Sequence, residues 1–277
     1  MKKAPLKTVI LCNRGHLWSL ILMNHVLKMK CYDVVWVVRT DHIHFSRKGL
    51  KKMKKNIWRS GALFITVLVM QQMFQELFFL LPFTARKTKT SSELQDMYGF
   101  NVHDTESINL SATEAFIQEQ QPDIIVSSYF PYILKPKILA IPRIGTLNVH
   151  PGLIPQYKWV MAYFWALKHN MKKAGVCVHW MDEWIDTWPI IAMKEFAISP
   201  KMTQDNLMIK TALIWSTLLK YVWTSLQLGK TLPVIAVDQW KVGYYSVPKH
   251  KDFTAYRWMR NFFSIRVLRK AILGRTQ

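Results

Sequence analysis

The chain has 277 residues, of which 50% are apolar and 20% charged. This composition excludes a disordered or collagen-like chain, and the length suits one large domain with an extension. The formal net charge of +21 favours anionic partners such as phosphorylated substrates, RNA or anionic lipid, without choosing among them.

Two features of the sequence bear on its compartment. Three widely spaced cysteines, Cys12, Cys31 and Cys177, form neither a CxxC pair nor a metal-ligand spacing. This favours a reducing compartment over a disulfide scaffold. The apolar run at residues 9–12 is too short for the core of a signal peptide. We therefore expect a cytoplasmic protein.

The first forty residues have a β-α-β pattern. Residues 6–12 and 33–38 are short, apolar and β-branched, as buried strands are, and residues 17–29 between them have helical periodicity. The pattern predicts a parallel sheet with a right-handed crossover. The turn at residues 13–16 then lies at the carboxyl edge of the sheet, where such folds bind ligands. It is not a GxGxxG turn, so it gives no dinucleotide signal.

An insertion over about residues 45–90 interrupts this pattern. Its first part is strongly basic, and residues 61–83 form a strongly apolar helix whose polar members Gln71, Gln72, Gln75 and Glu76 share one face. Four such groups argue against a membrane span. Three interpretations stay open: a span, a helix lying on an anionic membrane through residues 45–83, and a helix packed on its own core or on a second subunit.

The rest of the chain returns to an α/β pattern. Residues 86–92 are predicted to be a loop, and a strand follows near residues 100–103. A helix over 111–120 has Ser111 as its expected N-cap and Glu114 at the capping-box position. Further strands are predicted at 123–127, 146–149 and 176–180, and 203–228 forms one long helix or two short ones. We expect a first domain over residues 1–230 and a C-terminal extension over 231–277.

The segment after residue 145 has the pattern that indicates chemistry. Asn148 and His150 are two residues apart at a strand end, so their side chains lie on the same face of the sheet. Two prolines and a glycine in residues 151–155 turn the chain away and leave the pair exposed at the carboxyl edge. An amide and an imidazole beside a carboxylate from a later loop, Asp186, can stabilise an oxyanion and move a proton.

These residues resemble the folate-dependent formyltransferases, which include glycinamide ribonucleotide transformylase, methionyl-tRNA formyltransferase, sugar N-formyltransferases and formyltetrahydrofolate hydrolase. The family pattern is Asn-x-His, a Leu-Pro loop and an Asp in a later turn. It is matched here by Asn148, His150, Leu153, Pro155 and Asp186. The resemblance covers roughly residues 120–200. It implies a Rossmann-like, mostly parallel α/β sheet with helices on both faces.

The resemblance also implies a reaction. A primary amine would attack the formyl carbon of 10-formyltetrahydrofolate, and Asn148 and a protonated His150 would donate hydrogen bonds to the resulting oxyanion. Asp186 would orient and charge His150, because a neighbouring carboxylate raises a histidine's pKa. The donor is already activated, so no metal is expected. The alternating His42 and His44 lack a third ligand nearby.

The remaining site residues are assigned by the same resemblance. Two loops are expected to contact the folate, with core packing as the alternative for the first of them: Tyr132, Ile133 and Leu134, then Met181, Asp182 and Glu183. The substrate is expected at Asn13, Arg14, Gly15 and His179. His179 is equally well explained as a satisfied core histidine.

The acceptor is expected to be the amine of a small molecule, phosphorylated or sugar-like. The tail is too short for the RNA-binding domain of methionyl-tRNA formyltransferases, so a nucleic-acid partner is less favoured despite the charge. A hydrolase would use the same residues with water as the nucleophile. A homodimer and a peripheral membrane contact stay open.

Three positions depart from the family pattern, which has glycine where this chain has Trp159, Trp184 and Trp188. The chain has 10 glycines and 12 tryptophans, whereas average usage predicts about 19 glycines. Glycines beside a catalytic turn usually serve a positive φ or a close approach. Either the chain is an inactive binding relative, or UGA codons for glycine were translated as tryptophan. UGG at all three codons would exclude the second interpretation.

Overall fold

A computed structural model describes residues 5–14, 16–29, 33–40, 58–80, 86–184, 189–238, 242–254 and 264–273. Within them the elements run in this order: β1 (Lys7–Asn13), α1 (Leu17–Lys28), β2 (Asp33–Thr40), α2 (Ala62–Phe79), α3 (Ser91–Tyr98), β3 (Asn101–Thr105), α4 (Ser111–Glu119), β4 (Ile124–Ser128), α5 (Pro136–Leu139), β5 (Gly145–His150), β6 (Lys158–Trp159), α6 (Ala162–Lys168), β7 (Lys173–Trp180), β8 (Ile190–Ala197), α7 (Gln204–Gln227), β9 (Tyr244–Tyr245), α8 (His250–Thr254) and α9 (Ile265–Leu273).

Seven strands form one sheet in the order β3-β2-β1-β4-β5-β7-β8, and β6 pairs with β9 separately. The first five strands of the sheet are parallel. The pairs β5–β7 and β7–β8 are antiparallel. The mostly parallel sheet is therefore confirmed, whereas β8 had not been predicted. The chain leaves β1 toward β2 and later returns to β4, so the carboxyl ends of β1 and β4 flank a topological switch point.

Both faces of the sheet are covered, as the fold class requires. Along β1, Ile10 and Cys12 belong to the core cluster formed with α1 and α7. Val9 and Leu11 point the other way, into the cluster that includes residues of α4 and α5. This alternation of two apolar sets is what a strand buried on both faces requires.

Two local predictions were wrong. Residues 86–92 are not all loop, because α3 begins at Ser91 behind a capping box in which Thr90 and Glu93 exchange side-chain and backbone bonds. At α4 the N-cap is Leu110 with no side-chain cap, so Ser111 is the first helical residue and does not cap the helix. The segment 203–228 is a single helix capped by Thr203.

The apolar helix of the insertion is α2, and its polar side chains lie inward. Gln71 and Gln75 are buried, while Gln72 is half-buried and Glu76 is exposed. The Gln71 amide donates a hydrogen bond to Asp205 Oδ1 at 2.6 Å. The basic stretch before residue 58, with His42 and His44, lies outside the described residues.

Asp205 joins three elements that are far apart in sequence. It lies in the first turn of α7, accepts the bond from Gln71 on α2, and accepts a second bond from the backbone N–H of Ser264, which precedes α9, at 2.7 Å. Helix α9 buries Leu268, Ala271 and Ile272 in the same core cluster as α1 and α7. The described end of the C-terminal extension therefore packs on the first domain.

Burial raises the pKa of Asp205 from 3.8 to about 7, although its two hydrogen bonds oppose the shift. Between these values the folded protein holds a proton that the unfolded chain has lost, so unfolding releases a proton and stability falls as pH rises. We predict that the free energy of unfolding, measured by urea denaturation, decreases by about 1 kcal/mol or more from pH 4 to pH 7.

Asp205→Asn should remove this decrease, and Asp96→Asn at an exposed surface position should keep it. An identical pH dependence in the parent and in Asp205→Asn would show that Asp205 does not titrate in this range.

Candidate active site

The predicted catalytic pair lies on β5, at the junction between the parallel and antiparallel parts of the sheet. Asn148 has Ser127 of β4 as its parallel neighbour and His179 of β7 as its antiparallel neighbour. The Asn148 amide nitrogen lies 3.1 Å from His179 Nε2. The structure therefore brings together two residues that the sequence assigned to catalysis and to substrate binding.

The contacts of His179 determine the orientation of this amide. His179 Nδ1 lies 2.8 Å from the carbonyl oxygen of Trp180, and a carbonyl only accepts, so Nδ1 carries the proton. Nε2 then has a lone pair and accepts from an N–H of Asn148. The second N–H of the same amide is the candidate donor to an oxyanion. His179 is buried and both of its ring nitrogens have hydrogen-bond partners, so we expect it to position this amide.

His150 is not exposed, contrary to expectation. Its side chain is 3% exposed, and its Nε2 lies 2.6 Å from the backbone carbonyl of Tyr157. The turn after β5 folds back over the ring, and it can do so because residue 152 is glycine. A Cβ at Gly152 would lie 3.0 Å from both His150 Nε2 and Tyr157 O, and 2.7 Å from Ala162 Cβ. The Nε2–H donates to the carbonyl oxygen. This bond therefore fixes a proton on Nε2 and leaves the protonation of Nδ1 undetermined.

Asp186, Gly15 and Trp188 lie outside the described residues. The described ends of the loop that contains Asp186 are held beside β5. The Met181 N–H donates to Thr146 O at 2.8 Å, and the Trp180 N–H donates to Pro189 O at 3.1 Å. The loop thus leaves and rejoins the sheet next to the strand that carries Asn148.

The two loops predicted to contact the folate meet in space. Tyr132, Leu134 and Met181 belong to or pack against one apolar cluster, below the edge of the sheet. Leu134 is buried there, whereas Ile133 of the same predicted folate loop has an exposed side chain. Asp182 and Glu183 are exposed, and Asp182 Oδ1 accepts a bond from the Trp184 N–H at 2.9 Å.

The predicted substrate edge contains Asn13, which the sequence assigned to the substrate, and polar atoms that sequence analysis had missed. Asn13 and Thr40 end β1 and β2 and are direct neighbours in the register, whereas Ser128, which ends β4, pairs with Cys12 and so lies on the opposite face of the sheet. Asn13 Oδ1, Thr40 Oγ1 and Ser128 Oγ are buried without a hydrogen-bond partner among the described residues. Buried polar atoms are rarely left unpaired, so the neighbouring pair of Asn13 and Thr40 points to a ligand. The exposed Arg14 follows directly, its N–H bonded to Thr40 O.

The backbone is strained around this edge. Tyr129, Trp159 and Met161 have φ values of 49°, 77° and 58°, a region that bulky residues rarely enter. Tyr129 follows β4 directly, with its ring 4.9 Å from that of His16. Strained residues of this kind cluster at functional sites. The φ of Trp159 is the conformation that the family glycine at this position would supply without strain.

The tryptophans do not fill a cleft where the structure describes them. Trp159 is 45% exposed and Trp184 is 68% exposed, and Trp184 is not among the residues with positive φ. Of these two tryptophans, only Trp159 therefore has the positive φ that favours glycine. If the three tryptophans blocked the folate site, they would be expected to crowd one cleft, and these two indoles do not support that expectation. Among the described residues, no group of three His, Cys, Asp or Glu side chains could hold a metal.

The strand order and the polar groups at the carboxyl edge define a doubly wound α/β protein with an amide-imidazole site. Residues 83–219 match the family model described as formyl transferase. A methionyl-tRNA formyltransferase from Myxococcus xanthus is 32% identical over 118 residues, which are 43% of this chain and 38% of that protein. The match thus spans well under half of the relative's length.

Two solved structures share the fold. Glycinamide ribonucleotide transformylase 1 from Symbiobacterium toebii has a TM-score of 0.56 at 13% identity, covering 85% of this chain and 92% of that one. An N-formyltransferase from Helicobacter canadensis, in complex with folinic acid and dTDP-3-aminofucose, has a TM-score of 0.52 at 16% identity, covering 87% and 70%. Residues 83–219, just under half of the chain, are thus similar to the formyl transferase family.

The contact between His179 and Asn148 predicts a non-additive effect on catalysis. His179→Ala should lower kcat about tenfold with little change in KM for the formyl donor, because the amide of Asn148 loses its orientation. Asn148→Ala should cost more, and the double variant should lose no more than Asn148→Ala alone. Steady-state kinetics of the four proteins measure this.

His25→Ala provides a control, because it removes a histidine bonded to a backbone carbonyl in α1. Independent losses that multiply in the double variant would show that His179 acts in some other way.

The backbone at residue 159 predicts an inverted order of stability. Trp159→Gly should be more stable than Trp159→Ala by about 1 kcal/mol, because glycine enters positive φ freely and alanine does not. At the control position the order should not invert, with Trp184→Ala at least as stable as Trp184→Gly. Thermal and urea denaturation of the four variants measure the order. An alanine variant as stable as the glycine variant at residue 159 would contradict the strain.

Proposed function

We propose that the protein transfers a formyl group from 10-formyltetrahydrofolate to a primary amine of a small, phosphorylated or sugar-type substrate. The observation that carries this proposal is the arrangement on β5, where Asn148 is oriented by His179 two residues from a buried His150. The similarity of residues 83–219 to the formyl transferase family supports the donor. The folinic acid in the Helicobacter canadensis N-formyltransferase supports it as well.

In this mechanism the neutral amine attacks the formyl carbon and forms a tetrahedral oxyanion. Asn148 donates an amide N–H to the oxyanion, and protonated His150 donates through Nδ1 while Nε2 remains bonded to Tyr157 O. Asp186 holds the charge on His150 and helps to remove the proton of the attacking amine. Collapse of the intermediate breaks the bond from the formyl carbon to N10 of the folate, and N10 takes up a proton. The chemistry needs no metal.

The acceptor is proposed to bind at the carboxyl ends of β1 and β2, on the other side of β4 from Asn148. The unpaired oxygens of Asn13 and Thr40 suit a ligand rich in hydroxyl groups or phosphate oxygens. Arg14 and Gly15 follow Asn13 in the chain. The guanidinium of Arg14 and the net charge of +21 favour an anionic ligand. The dTDP-3-aminofucose in the Helicobacter canadensis structure is a compound of this class. On this basis we favour a phosphorylated amine or a nucleotide-linked amino sugar.

Two other activities have specific support. The relative from Myxococcus xanthus is a methionyl-tRNA formyltransferase, so a tRNA acceptor is the second candidate. A formyltetrahydrofolate deformylase from Pseudomonas syringae is also similar in structure, with a TM-score of 0.55 at 13% identity. Hydrolysis would appear as donor turnover without any amine. If the tryptophans are genuine and block folate, the protein is a binding relative and shows neither turnover.

We propose that the enzyme works in the cytoplasm. Cys12 is a free, buried thiol, as expected in a reducing compartment. Burial raises the pKa of the Cys12 thiol to about 12, so it stays protonated and unreactive at neutral pH.

The test is donor turnover with a panel of amines and with charged methionyl-tRNA, for the chain as written and for a version with glycine at residues 159, 184 and 188. We predict that Asn148→Ala, His150→Ala and Asp186→Ala each lower the rate by about 10²–10³ without unfolding the protein, because each removes a stabiliser of the transition state.

Asn101→Ala on the edge strand and Asp96→Ala on α3 are matched controls and should keep the parent rate. Circular dichroism confirms that each variant is folded. Near-parent turnover in His150→Ala would show that the assignment is wrong.

A further inference from the structure

Helix α2 has its apolar side chains on the outside. The exposed ones recur at helical spacing along one face, and Met73 and Leu77 are 65% and 57% exposed. We name this face the apolar strip; it consists of Leu63, Val69, Met70, Met73, Leu77 and Leu80. Trp58, just before the helix, is also almost fully exposed. A contiguous exposed patch of this kind marks an interaction site.

The opposite face of α2 is held firmly to the protein. Phe64 and Val67 are buried in an aromatic cluster, with the Phe64 ring 4.9 Å from that of Phe253. Gln71 is bonded to the buried Asp205. Among the described residues, α2 is the helix long and apolar enough to span a membrane, and 22% of it is buried inside the protein. A span would break these inward contacts, whereas a helix lying in a membrane surface would keep them.

Cations surround the C-terminal end of the apolar strip. The Arg86 guanidinium lies 5.5 Å from the Phe79 ring. The backbone N–H groups of Lys87 and Thr88 both donate to Ile272 O, which joins this segment to α9. Helix α9 packs on α2 and exposes three further cations. We name these cations the basic rim; it consists of Lys28, Arg86, Lys87, Lys89, Arg266, Arg269 and Lys270.

A cavity of about 320 Å³ opens within the rim, lined by Lys28, Arg86, Lys87 and Lys89. Glu93 is a carboxylate near the cavity, and its Oε1 forms a salt bridge with Arg86 Nη2 at 2.6 Å. Burial lowers the pKa of Lys89 and repulsion by Arg86 and Lys28 adds to the effect, although Glu93 opposes it. An anion in the cavity would relieve that repulsion. The volume and the charge suit a phosphate headgroup.

We propose that the apolar strip and the basic rim dock the protein on the surface of an anionic lipid bilayer. Helix α2 lies in the plane of the interface with its methionines and leucines among the acyl chains, and the cavity takes a lipid phosphate. Charge favours this occupant over a second copy. A two-fold interface through the strip would bring together two copies that each carry a net charge of +21.

Flotation of the full chain with two kinds of vesicle at low salt tests the proposal. The protein should bind vesicles of phosphatidylcholine mixed with phosphatidylglycerol and should not bind phosphatidylcholine alone. Met73→Gln with Leu77→Gln keeps the charge and should weaken binding about tenfold, because apolar area no longer enters the bilayer. Arg266→Gln with Arg269→Gln and Lys270→Gln should weaken it about a hundredfold, at about fivefold for each cation.

Matched controls separate these effects from general ones. Leu228→Gln with Val234→Gln alters two exposed apolar residues outside the strip. Lys201→Gln with Lys220→Gln and Lys230→Gln removes three exposed charges elsewhere. Both controls should bind as the parent does, and circular dichroism should show that every variant is folded.

Four results would overturn the proposal. One is no binding to anionic vesicles at low salt. Another is binding that the strip variant leaves unchanged. The third is a dimer in sedimentation equilibrium that the strip variant dissociates, which would assign the strip to a second copy. Binding competed by free inorganic phosphate but independent of the strip would show an anion site without docking, and it counts against the proposal too.

Discussion

A buried carboxylate, Asp205, joins the insertion and the C-terminal extension to the rest of the structure. It accepts hydrogen bonds from Gln71 and from the backbone of Ser264, so the insertion and the C-terminal extension both contact the first turn of α7. Helix α7 in turn packs against α1 and the sheet. A buried acceptor without its donors is costly. The two additions to the α/β fold are therefore coupled through one side chain.

The site depends on a second constraint, the change of strand direction at β5. A parallel neighbour supplies Ser127 and an antiparallel neighbour supplies His179, and Asn148 lies between them. The antiparallel pair β7–β8 also returns the loop that contains Asp186 to the same edge. The amide of Asn148 and the imidazoles of His150 and His179 thus come from two neighbouring strands, although they are about thirty positions apart in the chain.

Much of this arrangement follows from patterns in the sequence. The β-α-β start, the strands β4, β5 and β7 and the long α7 are visible in apolar runs and periodicity, and Asn148 and His150 follow from a spaced motif. Other features depend on tertiary contacts. The burial of His150 requires the turn at Gly152 to fold back, and the partner of Asn148 depends on strand register. The orphan oxygens of Thr40 and Ser128 have no sequence signal of their own. Strand β8 was missed although its residues are partly apolar, whereas α3 could have been found from Thr90 and Glu93.

Helix α2 exposes its apolar side chains, and this exposure has a consequence for redox chemistry. Met70 and Met73 present their thioethers to solvent, while Met23 and Met208 are shielded in the core. Oxidation of a thioether to the sulfoxide makes the side chain polar and is reversed by dedicated reductases. An oxidant would therefore alter the outer face of α2 before it reached the core. The surface of this protein can change its polarity reversibly while the fold and the residues on β5 stay intact.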